Sequence, residues 1–204
     1  MLLVGCDLQS SQASLELAKR HSLLCTSGIH PKDAKTAVTA LEQQLTLLAS
    51  HPEVVAIGEC GLDYNRDFSP RDVQRTVFRR QLALAETLNM PVYLHERDAS
   101  KDMLAILSEY SVKGVLHCST GDEFAPQRYL VKGLYFGVTA GVLYDRVWVQ
   151  LHSLIRSIPL YRLWIEPDAP FFFAIPLKTN PKPHHITPCQ QTFILSKYHD
   201  LHAY

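Results

Sequence analysis

The chain has 204 residues with 20 basic and 20 acidic side chains, so its formal net charge is zero, and 47% of it is hydrophobic. This is the balance of a folded globular chain, and at about 150 residues per domain it predicts one domain. Zero net charge excludes a polybasic nucleic-acid coat protein, and no apolar run reaches the ~18 residues of a membrane span. Seven short apolar runs read as strands, at residues 2–5, 23–27, 54–58, 91–95, 114–117, 134–138 and 162–165. Helical patterns fall between them, at 9–21, 40–49, 70–88, 100–110, 123–131 and 144–157. The pattern over 70–88 is the clearest: Ser69 is placed to cap it, Pro70 suits its first position, and Val77, Leu82, Ala85 and Leu88 recur at near-helical spacing. Continuously apolar strands that alternate with helices predict an α/β fold with a parallel sheet. An open doubly wound sheet and a (β/α)₈ barrel both meet that description. No GxGxxG follows any strand, so a dinucleotide site has no support.

The informative pattern is positional. Glu59 follows the third strand, His95 ends the fourth, His117 ends the fifth, and Asp168 lies just past the seventh. Carboxylates and imidazoles are ligands for Mg²⁺, Mn²⁺ or Zn²⁺, and the C-terminal ends of parallel barrel strands converge on one face, where the active site forms. Any one of these residues alone reads as an ordinary loop residue; four in corresponding positions read as a site. His30 either caps the turn before Pro31 or reaches the same face. Asp63 and Arg97 sit where they can point into the mouth of the site. Arg97 can grip a phosphate by paired hydrogen bonds or pair on the surface with Glu96 or Asp98. Glu166 reads as a further carboxylate of the site or a partner of a ligand histidine. The five cysteines (Cys6, Cys25, Cys60, Cys118, Cys189) form no CxxC and read as reduced core thiols of a cytoplasmic chain. His184, His185, His199 and His202 fit no metal-ligand spacing, and their segment lacks regular periodicity.

Five segments stand in order: Ser27-Gly28-Ile29-His30-Pro31, the run from Ala56 to Tyr64, the run from Pro91 to Ala99, the run from Leu116 to Gly121, and Ile165-Glu166-Pro167-Asp168-Ala169-Pro170. Together they resemble the successive signature motifs of the TatD family of metal-dependent deoxyribonucleases, and Cys60 with Asn65-Arg66-Asp67-Phe68-Ser69 resembles its namesake branch. The resemblance runs over residues 1–173. It implies a TIM-type (β/α)₈ barrel, here with seven of eight strands, one or two divalent ions (Mg²⁺ or Mn²⁺, with Zn²⁺ an option), and 3′→5′ hydrolysis of DNA, at single strands or 3′ ends. Carried over by position, Glu59, His95 and His117 are metal ligands. Asp168 is a ligand or the base that orients the attacking water, and His30, Asp63 and Arg97 serve the substrate. Four features depart from the family pattern: the chain starts at what is elsewhere the second strand, Pro167 stands for threonine, Glu96 stands for a common cysteine, and the family's closing loop and helix are not recognisable beyond Phe173. Residues 174–204 are expected to be a divergent tail, disordered or weakly packed. The competing expectations are an inactive remnant of such a nuclease, and a barrel hydrolase acting on a cyclic amide or phosphotriester.

Overall fold

The computed structural model describes residues 1–117, 125–139 and 158–166, which fall in two compact units divided after His117. Among the described residues all seven expected strands are present, and the fold is α/β. In the first unit, β1 (Leu2–Leu3), β2 (Leu24–Ser27), β3 (Val54–Asp63), β4 (Val92–Arg97) and β5 (Gly114–His117) pair in chain order, each parallel to the next. Helices α1 (Leu8–His21), α2 (Leu41–Ala49), α3 (Arg71–Thr87) and α4 (Ser100–Leu107) and a 3₁₀ turn (Pro31–Thr36) lie between the strands in sequence. The second unit carries α5 (Ala125–Val131), β6 (Tyr135–Val138) and β7 (Leu163–Ile165), and its two strands are again parallel. The helix expected at 144–157 and the segment 174–204 lie outside the described residues.

Burial follows the reading of parallel strands covered by helices. Ile57, Leu62, Leu94 and Leu116 from the sheet are wholly buried, together with Leu41, Leu45 and Leu82 from the helices. Helix α1 begins at a capping box: Asp7 accepts from the Ser10 N–H at 2.6 Å, and the Ser10 hydroxyl accepts from the Asp7 N–H at 2.9 Å. Helix α3 starts differently from the sequence expectation. Pro70 is its N-cap, and no side chain caps it. Ser69 is drawn instead to the 3₁₀ turn, donating to the Lys32 carbonyl at 2.8 Å and accepting from the Lys35 N–H at 3.1 Å.

Strand β3 also runs to Asp63, five residues beyond the expected end at 58, so Glu59 lies inside a strand rather than after it. The register explains how. Gly58 opposes Tyr93 and Cys60 opposes Leu94, which leaves Glu59 unpaired at an irregularity that re-aims its side chain. Gly58 (φ +147°) and Gly61 (φ +146°) flank it; a Cβ at either would collide with the carbonyl of Tyr93 or His95. Only glycine lets β4 come this close.

Two buried glutamines of α3 tie the sheet's upper end to the helix. Gln81 accepts from the Ile29 N–H (2.7 Å) and donates to the Ile29 carbonyl (3.0 Å). Gln74 accepts from the Asp63 N–H (2.8 Å) and donates to the carbonyls of Asp63 (3.1 Å) and Ser69 (2.8 Å). Each glutamine thus satisfies backbone groups that water cannot reach. Replacing Gln81 with leucine preserves bulk but orphans both groups of Ile29. The variant is expected to lose about 1–3 kcal/mol in urea denaturation. Arg80→Ala, which breaks the partly exposed pair with Glu42, should cost at most about 1 kcal/mol in the same assay.

Candidate metal centre

Strands β2 to β5 each deliver one residue, by a different local device. His30 lies three residues past β2, in a loop pinned at Ile29 by Gln81. Glu59 is aimed by the irregularity in β3, and its own N–H donates to the Gly5 carbonyl at 2.8 Å. His95 sits within β4 opposite Gly61, and His117 at the end of β5 is its register partner. Three imidazoles therefore meet one carboxylate oxygen. Glu59 Oε1 lies 3.1 Å from His95 Nδ1, 3.2 Å from His117 Nε2 and 3.6 Å from His30 Nε2. The rings of His30 and His95 are 4.4 Å apart, and Tyr93 stacks on His117 at 5.3 Å.

The charges follow from that packing. Burial, the largest influence on Glu59, would raise its pKa, but hydrogen bonds from His117 and His95 and the nearby imidazoles hold it well below the usual carboxylate range. Burial pushes His30 down to about 3, against the pull of Glu59, so it is neutral near pH 7. His95 goes the other way: burial opposes its charge, yet Asp63 and Glu59 on its two sides raise it. Asp63 is held down at about 2 by His95 and by the N–H groups of Arg66 and Asn65, which outweigh its partial burial.

His30, Glu59 and His95 each offer a donor atom, and the three atoms lie within 4.8 Å of one another. His95 Nε2 is buried 3.4 Å from Asp63 Oδ2 without a directed hydrogen bond to it. Two imidazoles, one of them with an unsatisfied buried nitrogen, and a carboxylate form a donor set that fits a divalent cation.

His30 has both roles weighed from sequence: its Nδ1 accepts from the Lys32 N–H at 3.0 Å, capping the 3₁₀ turn, while Nε2 faces Glu59. Arg97 ends β4 opposite Asp63 and makes no ion pair among the described residues. Its two candidate surface partners are engaged elsewhere, Glu96 at the Ala99 N–H and Asp98 at the Asn65 amide. Asp168 lies outside the described residues. In the second unit, the Glu166 N–H donates to the Val138 carbonyl at 3.0 Å. One neighbour of the centre escaped the sequence reading. Cys6, taken for a core thiol, donates its S–H to Glu59 Oε2 at 3.6 Å. The signal was available, since Cys6 follows the first strand run just as Glu59 follows the third.

Comparison with known proteins matches this arrangement to one family. The family described as TatD related DNase matches residues 1–201. A 3′-5′ ssDNA/RNA exonuclease TatD from Enterobacter lignolyticus is 44% identical over 187 residues, 90% of this chain and 71% of that protein. The protein of the same name from Cronobacter turicensis is 41% identical over 201 residues, 97% of this chain and 76% of that one. Among solved structures, the TatD homolog YJJV from Escherichia coli K12 superposes with a TM-score of 0.87 at 25% identity, covering 98% of this chain and 77% of that chain. A TatD family hydrolase from Entamoeba histolytica gives 0.73 at 29% identity, over 82% of this chain and 59% of that one. The chain spans roughly three quarters of the length of these bacterial relatives, and it belongs to the TatD related DNase family.

Proposed function

We propose that this chain, a TatD-type nuclease, hydrolyses phosphodiester bonds from the 3′ end of single-stranded nucleic acid, with a divalent cation held at the Glu59 cluster. The observation that carries this reading is the convergence of His30, His95 and His117 on Glu59 Oε1. The relatives named as single-strand DNA/RNA exonucleases supply the substrate class. His30, Glu59 and His95 form the core of the donor set, with His117 and Asp168 as further ligands. Mg²⁺ or Mn²⁺ serves the chemistry, while the imidazole donors also suit Zn²⁺. A cation bound there would supply Lewis acidity toward the phosphoryl oxygen and lower the pKa of a coordinated water. The protein's own groups do the rest. Asp63 flanks the His95 ring on the side away from Glu59, Arg97, which makes no ion pair among the described residues, grips the phosphate, and Asp168 takes the proton of the attacking water. A neutral chain suits an enzyme that grips a strand end locally rather than through long-range attraction. None of the described helices is long and apolar enough to cross a membrane, and the unpaired thiols of Cys6, Cys25 and Cys60 fit a cytoplasmic setting.

The decisive experiment compares the purified chain with Glu59→Ala. With Mn²⁺ present, the unaltered chain is expected to release mononucleotides from a single-stranded oligonucleotide and to melt at higher temperature than in chelator. A cation at 100 times its dissociation constant adds about 2.7 kcal/mol. Glu59→Ala should lose both effects, with activity down by at least about a thousandfold. Equal activity of the two proteins would overturn the site.

Without a cation, proton binding by these same groups sets the pH dependence of the chain's stability. His30 binds a proton near 6.5 when unfolded and only near 3 when folded, so its stability contribution is complete above 6.5 and is lost as pH falls toward 3. Glu59 and Asp63 reinforce this loss further down, since both are depressed below their ordinary 4.5 and 3.8. His95 opposes it, because its raised pKa adds stability below 6.5 that disappears as pH rises through the folded value. His30→Asn keeps a capping acceptor but removes the first contribution. Thermal melting in chelator should show this variant gaining on the unaltered chain steadily from pH 6.5 to 4.5; parallel curves would mean that His30 is not held neutral.

A further inference from the structure

The loop from Tyr64 to Ser69 leaves the metal centre directly. The N–H groups of Asn65 and Arg66 both donate to Asp63 Oδ1 at 3.0 Å, while Asp63 Oδ2 faces His95. Every other side chain of this loop is tied to a neighbour. Tyr64 donates to Asp102 at 2.6 Å, Asn65 donates to Asp98 at 2.7 Å, Asp67 takes a forked bond from Arg71, and Ser69 joins the 3₁₀ turn. Phe68 and Arg66 stand apart. Phe68 is 54% exposed although its loop neighbours are hydrogen-bonded to the surrounding structure. The Arg66 guanidinium lies 6.0 Å from the centre of that ring and has no acidic partner among the described residues. An apolar ring held in water beside a cation with no acidic partner among the described residues, on the loop that follows the carboxylate flanking His95, matches the two needs of a single nucleic-acid strand. These are a flat face for a base and a positive charge for a phosphate.

We propose that Phe68 is a stacking seat for a nucleobase of the strand entering the centre, and that Arg66 neutralises an adjacent phosphate. The proposal rests on the nuclease reading above and adds to it the residues that hold the strand. Both are positioning residues, because neither touches the reacting phosphorus. Stacking accepts any base, so the seat provides grip without sequence preference.

The test measures binding of the full chain, in chelator, to a labelled oligothymidylate and to a strand of equal length whose sugars carry no bases. The unaltered chain should bind the base-bearing strand about tenfold tighter. Phe68→Ala should reduce that preference below twofold, and Phe68→Trp should keep it. Arg66→Ala should weaken both strands alike and lower the slope of log affinity against log salt by about 0.7, the loss of one phosphate contact. A preference that survives Phe68→Ala, or that is absent from the unaltered chain, overturns the seat; the latter result leaves Phe68 as a protein-contact residue. Cleavage by the unaltered chain with Mn²⁺ is scored separately. Cleavage without a Phe68-dependent base preference keeps the nuclease and rejects the seat, whereas the preference without cleavage keeps the seat and rejects the nuclease.

Discussion

Everything in the first unit is arranged around one buried negative charge. An ionised carboxylate taken out of water costs several kcal/mol unless it is paired and hydrogen-bonded. Glu59 is 7% exposed, yet its pKa stays low, because three imidazoles and a thiol surround it. The same constraint explains why β3, β4, β5 and the loop after β2 each bring a polar side chain to this point: no single segment could supply enough partners. It also explains why the histidines differ. His30 touches one carboxylate and is kept neutral by burial, whereas His95 lies between two and holds its proton more strongly. A cation at this point replaces protons with a charge of the sign that the carboxylates already require.

Much of this was legible in the sequence for a physical reason. Strands buried on both faces must be continuously apolar, so a polar residue at the end of such a run stands out. Glu59, His95 and His117 stand out in that way, and the structure brings all three together. The alternation of strands and helices was equally plain, because its periods differ by nearly a factor of two. The order of motifs then named a family, and the matched relatives agree with it.

What the sequence hid were features set by contact between segments. The extension of β3 to Asp63 depends on how closely the carbonyls of β4 approach Gly58 and Gly61, and no run of residues announces that distance. Ser69 looks like a helix cap, yet the 3₁₀ turn competes for its hydroxyl and wins. Cys6 is a different case: its place after the first strand run is a signal, but cysteine also behaves as a small apolar residue, and that reading masks the contact with Glu59. Gln74 and Gln81 look like ordinary polar positions on an amphipathic helix until the backbone groups they serve are seen.

Those two glutamines lie seven positions apart, two turns along the same face of α3. One holds the backbone beside His30, and the other holds the backbone of Asp63, on the far side of Glu59. Because both ties belong to a single rigid rod, thermal drift of that rod carries the two flanks in step. The spacing between them is thereby insulated from fluctuations that displace either flank alone. Helix α3 works as a jig: it keeps tolerance across the centre without contributing any atom to it.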